Sequence, residues 1–478
     1  MIKRAIVWFR NDLRLHDNEA LAEAIRAADE IIPVFVFDER IFNGTTPFGF
    51  PKTGKHRAQF IIESVADLRA QLQSKGSDLY VRTGKSEDII CELAQTTKCS
   101  WVYCNRERMD EEVRVQDSLE KKLWSIGQEL RYCRGKMLYN TADLPFPVQH
   151  TPEVFTNFRK EVERITPVRA PLPAPEKILK NTFVLENGEM PTVTDFGHAE
   201  SEKDPRAAFT FKGGETEALK RLHYYLEETH LIKRYEETRN GLIGADYSTK
   251  FSAYLSAGCL SPKRIYSELK QYEKKYGDNK STYWLFFELL WRDFFRLVGK
   301  KYGNMIFNIG GLSGKSDKTW RTDDRLFNVW ADGRTGVPFI DANMRELKLT
   351  GFMSNRGRQN VASFLTKDLK INWLMGAEWF ESQLVDYDPC SNYGNWLYIA
   401  GVGNDPRENR YFNILSQAHR YDPNGEYIKL WLPELKEVPI DKIHRPDILS
   451  FDEQTRYHVK LGAQYPKAMI PTEKWQSY

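Results

Sequence analysis

AIVWFRNDLRLHDNEALAEAIRAADEIIPVFVF, residues 5–37, decides the fold. An apolar run at 5–9 is followed by a helical stretch at 18–28 and a second apolar run at 31–37. Short β-rich runs joined by a helix-length segment are the signature of a βαβ unit, whose strands lie parallel and buried on both faces. The alternation continues outward through an amphipathic segment at 57–72 and further segments at 79–81, 87–94, 101–104, 111–126 and 130–133. Roughly five strands predict an α/β domain with a doubly wound parallel sheet in residues 1–133. Periodicity then weakens and prolines gather between Pro145 and Pro205, which reads as a wrapping linker over 134–206 with one short helix near 155–163. Residues 207–478 show 3.6-residue periodicity at 215–228, 282–300, 341–349 and 360–369, predicting a larger all-α domain.

Composition limits the function. The 478 residues carry 69 Lys and Arg against 66 Asp and Glu, a net charge of +3. No general grip on nucleic acid follows from that balance, so an anionic partner must meet a local patch. With 41% hydrophobic residues, including 27 Phe, 23 Tyr and 12 Trp, the chain can fill a large core. Its six cysteines contain no C-x-x-C pair, which argues against a zinc site or a disulfide framework. No run of about 18 apolar residues occurs, and the run before Arg10 is too short for a secretory signal. A soluble, cytoplasmic protein with no membrane association is expected.

Five stretches carry candidate chemistry. GFPKTGKH at 49–56 approaches a phosphate loop, but His56 stands where a hydroxyl would hold magnesium, and a polar loop starting a helix is the better reading. Asp246 to Ser252 clusters three hydroxyls and Lys250 before an apolar stretch, which suits either ordinary capping or a phosphate site. The helix at 282–300 places Glu288 among Trp284, Phe287, Trp291 and Phe295, so that carboxylate either pairs with Arg292 or lines a polar cavity. Between Arg345 and Lys370 six basic residues face two acidic ones, the best candidate for a phosphate-facing patch. DYDPCSNYGNWLY at 386–398 packs carboxylates, amides and aromatics between Pro and Gly breaks, and reads as a ligand-binding loop or a structural turn cluster.

VWFRNDLRLHDN at 7–18, RYEETRNGLIGADYSTKFSAYLSAGCLSP at 234–262, ELLWRDFFR at 288–296, TGFMSNRGRQNVASFLTKDLKINW at 350–373 and WFESQLVDYDPCSNYGNW at 379–396 resemble photolyases and cryptochromes, and among them the cryptochrome-DASH branch. The resemblance implies an α/β antenna domain and a helical domain holding FAD, with blue light driving electron transfer. It implies that Ser248, Thr249, Phe251 and Ser252 contact the FAD pyrophosphate with Tyr235 nearby, and that Asn355, Arg358, Asp386 and Asp388 line its isoalloxazine and ribityl side. Asn392 takes the position facing flavin N5. Trp396, Trp373 and Trp320 fall where the family keeps a tryptophan chain from flavin to surface.

The same resemblance implies a cavity for a pyrimidine dimer mouthed by Glu288, Trp291, Arg292, Asn355, Gln359 and Tyr398, with Arg239 and Arg356 toward the phosphates. Gln359 and Tyr398 replace the Met and Trp of the duplex-repairing branch, leaving less apolar stacking area to offset flipping a base from duplex. Repair of cyclobutane pyrimidine dimers in single-stranded DNA, by a lyase acting as a monomer, is therefore expected. Glu288 would stabilise the dimer radical anion and Asn392 would tune the flavin. A methenyltetrahydrofolate antenna is expected against the acidic segment 107–112. The alternative is a blue-light photoreceptor that signals without repair; such members usually append a long C-terminal extension, and its absence here favours repair.

Overall fold

In the computed structural model, which describes residues 2–179, 182–200, 202–407 and 410–475, five strands form one sheet: β1 (Arg4–Phe9), β2 (Glu30–Asp38), β3 (Tyr80–Gly84), β4 (Trp101–Asn105) and β5 (Glu129–Cys133). Their order is β3-β2-β1-β4-β5, and every adjacent pair is parallel. In β1 the two-residue period sends Ile6 and Trp8 into one buried cluster and Ala5, Val7 and Phe9 into another. The first cluster is closed by residues of the helices Ser86–Thr97 and Asp110–Ser125. The second is continuous with the core of the helical half, so the sheet is also the platform on which that half stands.

Described stretches between β5 and the helix Glu215–His223 fasten the two halves together. The main-chain N–H groups of Leu138 and Tyr139 donate to Asp293 in the long helix Lys280–Tyr302 at 3.1 and 2.9 Å. In the helix Phe155–Ile165, Phe155 stacks on Trp291 with centroids 3.7 Å apart. Asn187 accepts from Val81 N at 2.8 Å, occupying part of the otherwise open β3 edge.

Beyond Gly214 the secondary-structure elements among the described residues are all helical, with two departures from the sequence reading. The helices Glu215–His223 and Asn355–Ser363 each run on into a wider π turn, Tyr224–Glu228 and Phe364–Asp368. Residues 386–398, readable as a loop, are mostly the helix Pro389–Ala400. Asp388 caps it by accepting Ser391 N at 2.9 Å, and Pro389 fits the first helical position, where no N–H is needed. Gly394 is tolerated inside because Phe295 packs there: an added Cβ would lie 2.3 Å from its ring.

The loop after β1 is the clasp between the halves. Arg14, 1% exposed, donates to the carbonyls of His16, Asp17, Gly135 and Gly258 at 3.1, 2.9, 2.8 and 2.8 Å. Asp17 accepts from the Ser261 hydroxyl and pairs with Lys263 at 2.8 Å. Glu215 accepts from Leu15 N at 2.6 Å and His16 N at 3.1 Å and pairs with the His16 ring. Gly258 is required twice over: its φ of +73° ends the helix Ser252–Ala257, and a Cβ there would meet Asn11 O at 2.1 Å.

Burial opposes ionisation of Glu215, but His16 and the two amides outweigh it and hold the pKa below the usual 4.5. Its contribution to stability is therefore present above pH 4.5 and is lost as the pH falls through the lower folded value. Glu215→Gln is expected to flatten the acid limb of urea stability below that pH. Arg14→Met, which orphans four buried or half-buried carbonyls, is expected to lower stability by about 3 kcal/mol or more in the same titrations.

Candidate functional site

A cavity of about 270 Å³ opens within the helical half. One wall is the segment before Ser252. Arg221, buried, donates to the carbonyls of Ala245, Ser248 and Thr249 at 2.8, 3.1 and 3.0 Å. With those carbonyls engaged, Ser248, Thr249, Phe251 and Ser252 line the cavity, and Tyr235 joins them. The helix that follows, Ser252–Ala257, has only six residues, so its dipole is a weak anion trap and the hydroxyls matter more.

Lys250, grouped with these hydroxyls in the sequence but absent from the cofactor contacts that the resemblance implies, also lines the cavity. Its φ of +60° turns it into the cavity lining, where its Nζ donates to Ser248 Oγ at 3.1 Å and lies 3.0 Å from the Tyr247 ring centre. Burial pushes its pKa well below 10.5. The signal was present in the sequence as a lysine inside a hydroxyl cluster; its left-handed backbone was not.

The opposite wall comes from two helices. In Asn355–Ser363 the lining residues are Asn355, Arg358, Gln359 and Ala362, a helical i, i+3, i+4, i+7 stripe; in Pro389–Ala400 Asn392, Asn395, Trp396 and Ile399 repeat that stripe, and Ser391 joins them at its edge. Between them lie Asp386 and Asp388. Arg358 Nη2 donates to Asp386 Oδ2 at 2.8 Å, while Asp386 Oδ1 is buried with no hydrogen-bond partner among the described residues. Asn392 Nδ2 is committed to Ala377 O at 2.9 Å. Burial works against the Asp388 charge, but Arg296 and then Arg292 hold its pKa below the usual 3.8.

An orphaned buried carboxylate oxygen across from hydroxyls and a lysine asks for a ligand that is a donor at one end and anionic at the other. FAD meets both requirements, with ring N–H groups and a pyrophosphate. Ser248, Thr249, Lys250 and Ser252 would hold the phosphate end, and Asp386, Arg358 and Asn392 the ring end.

Glu288 and Arg239 also line this cavity and pair with each other, so Glu288 does not pair with Arg292. Burial raises the Glu288 pKa, and the Arg239 charge pulls against that rise. Four expected substrate residues stand off the cavity wall. Arg292 donates instead to Lys136 O at 2.7 Å and Leu255 O at 3.2 Å, satisfying carbonyls at the seam between the halves. Tyr398 lies off the lining stripe of its helix and packs edge to face on Trp291, 5.7 Å away, itself held by Phe155. Arg356 is likewise off the stripe of its helix.

The basic run 345–370 does not form one phosphate-facing patch. Arg345 pairs with Glu434 at 2.6 Å, Lys348 with Asp332 at 2.7 Å and Arg358 with Asp386, while Lys367 donates to Ala400 O at 3.1 Å. Helical periodicity points those charges in different directions and each finds a nearby acceptor.

Of the three tryptophans two are buried and one is half-buried. Trp396 lines the cavity at 2% exposure; Trp373 is fully buried, its Nε1 on Ile309 O at 3.1 Å; Trp320 is half-buried. One helix, Trp373–Gln383, joins the first two, since a Cβ on its Gly376 would lie 2.2 Å from Trp396 Cη2. Arg321 bridges Ile371 beside Trp373 and so brings Trp320 to the same corner.

A second cavity of about 1100 Å³ lies at the seam between sheet and helices, lined by Trp8, Phe35, Arg296 and the whole of 107–112. Tyr387 and Asp388 line both cavities and form a shared partition. Burial, and then the charge of Glu107, raise the Glu112 pKa to about 7. Glu107 itself pairs with Lys136.

Comparison with known proteins accords with this geometry. The sequence model "DNA photolyase" matches residues 5–176, and "FAD binding domain of DNA photolyase" matches 284–477. Cryptochrome DASH of Xenopus laevis is 50% identical over 99% of this chain and 91% of its own. A crystal structure of a cryptochrome from Synechocystis sp. superposes with a TM-score of 0.96 at 48% identity, covering 100% of this chain and 98% of that one. A bacterial class III photolyase from Agrobacterium tumefaciens gives 0.86 at 29% identity, covering 100% and 96%. Asp386→Ala, which removes the orphaned acceptor and unpairs Arg358, is expected to cut flavin bound per chain by about tenfold, measured by visible absorbance at unchanged circular dichroism.

Proposed function

Because the chain belongs to the cryptochrome-DASH branch of the photolyase and cryptochrome family, we propose that it repairs cyclobutane pyrimidine dimers in single-stranded DNA under blue light, with FAD in the 270 Å³ cavity. The observation that carries this reading is the meeting of the Glu288–Arg239 pair and Gln359 with Asp386, Asn392 and Trp396 on one cavity wall system. Groups suited to a lesion and groups suited to a flavin then share one space. The chemistry FAD supplies when bound there, reduced and excited by blue light, is the electron that splits the cyclobutane ring.

The chain's own residues supply the rest. A carboxyl whose pKa is raised by burial reaches its neutral form at higher pH than an ordinary glutamate, so Glu288 can donate a hydrogen bond to a dimer carbonyl and stabilise negative charge there. Arg239 opposes that neutral form, and engaging a DNA phosphate would release it. The preference for single strands rests on Gln359 at the wall: an amide stacks less apolar area against a base than a thioether, leaving less to offset unstacking. Trp396, Trp373 and Trp320 would carry electrons inward from the surface to keep the flavin reduced. For the antenna, the 1100 Å³ cavity with Glu107, Glu111 and Glu112 suits the N–H-rich pterin of methenyltetrahydrofolate.

Glu288→Ala is expected to keep bound flavin and lose most repair of a dimer-bearing single strand under illumination; undiminished repair would sink the role. Glu288→Gln, a donor at every pH, should keep activity and abolish the wild-type rise in yield as the pH falls toward the raised pKa. Protein reconstituted with methenyltetrahydrofolate should gain a near-ultraviolet band that Glu112→Ala weakens, with flavin absorbance unchanged.

A further inference from the structure

Arg356 stands off the cavity stripe of its helix, yet both ends of its guanidinium are engaged beside the cavity. Its Nη1 donates to Gln359 Oε1 at 2.8 Å and its Nη2 to Asn240 Oδ1 at 3.1 Å, and the group lies 4.8 Å from the Tyr421 ring centre. The helix itself sets the reach: residues three apart lie on neighbouring faces, so a residue outside the cavity can hold one that lines it. Arg356 O in turn accepts from Asn360 Nδ2 at 2.9 Å, fixing the backbone from which the arginine extends.

Arginine has donors only. The Gln359 oxygen must therefore face Arg356, and the amide cannot flip without breaking that bond. What Gln359 leaves for the cavity is its NH2 group, which makes no hydrogen bond to another described residue. We propose that Arg356 is a positioning residue that locks Gln359 as a donor, so that Gln359 selects lesions carrying a carbonyl at pyrimidine C4, as thymine and uracil do, over those carrying an amino group there, as cytosine does. The inference rests on the dimer-binding reading above and adds to it a rule for which dimers fit. A cytosine amino group would meet the Gln359 amino group donor to donor, leaving both unpaired in a partly desolvated cavity.

Arg356 as a plain phosphate anchor makes the opposite forecast. A phosphate contact weakens binding of every sequence alike and reduces the salt slope by about 1, whereas a contact that reads a base changes discrimination at that base.

The experiment measures binding, in the dark, of the flavin-loaded protein to single-stranded oligonucleotides bearing one thymine–thymine or one cytosine–cytosine dimer, the latter used before it deaminates, with an undamaged strand for reference. Wild type should prefer the thymine dimer by about tenfold. Arg356→Met should bring that ratio close to one with its salt slope unchanged. Gln359→Glu, which keeps a partner for Arg356 but presents only acceptors, should reverse the preference, and does so independently of whether Arg356→Met folds. Equal weakening for both dimers with a shallower salt slope in Arg356→Met overturns the proposal, as does an unchanged ratio in either variant. A wild type that binds thymine dimers and cytosine dimers equally, yet both more tightly than undamaged DNA, overturns this inference alone. No preference for any dimer over undamaged DNA overturns the dimer-binding reading and this one with it.

Discussion

The structure depends on charges buried where the sheet meets the helices. Arg14, Asp17, Glu215 and Asp293 lie almost wholly out of water, and each is matched by main-chain groups or an opposite charge from across the seam. A buried charge with a missing partner costs several kcal/mol, so such a set holds only one docking geometry. Glu215 begins the helix that carries Arg221, and Arg221 pins the carbonyls of 245–249. Position therefore passes from the loop after β1, through the seam, to the hydroxyls of the smaller cavity.

That seam also creates the second cavity. A space of about 1100 Å³ remains there, lined on one side by residues 107–112. Tyr387 and Asp388 separate it from the smaller cavity, and Arg296 holds Asp388 from the larger side. Any groups held in the two spaces would therefore have Tyr387 and Asp388 between them.

Much of the fold could be read directly from residues. The five strand runs and the helix Asp110–Ser125 follow from periodicity, which acts locally. Local reading failed where tertiary contact overrode it. Residues 386–398 carry Pro and Gly, ordinarily breakers, yet the first serves as a helix start and the second is wanted by the Phe295 ring. The basic run 345–370 looked like a patch only because charge counting along a chain ignores the direction in which a helix points each side chain.

The sequence by itself determined the chemistry: which hydroxyls, carboxylates, amides and indoles exist, and the motifs that place the chain in its family. Only the tertiary structure decided which of them share a space. Ser248, Glu288, Gln359, Asp386 and Trp396 come from four separate segments and converge because each segment buries its own apolar face against the same core. Arg292, Arg356 and Tyr398 belong to those same segments but leave the cavity wall, since a helix turns each residue by about 100° and a neighbour in sequence faces elsewhere. Pair partners such as Arg239 for Glu288 and Arg356 for Gln359 were likewise fixed by packing, because hydrogen bonds are decided by distance in space rather than separation along the chain.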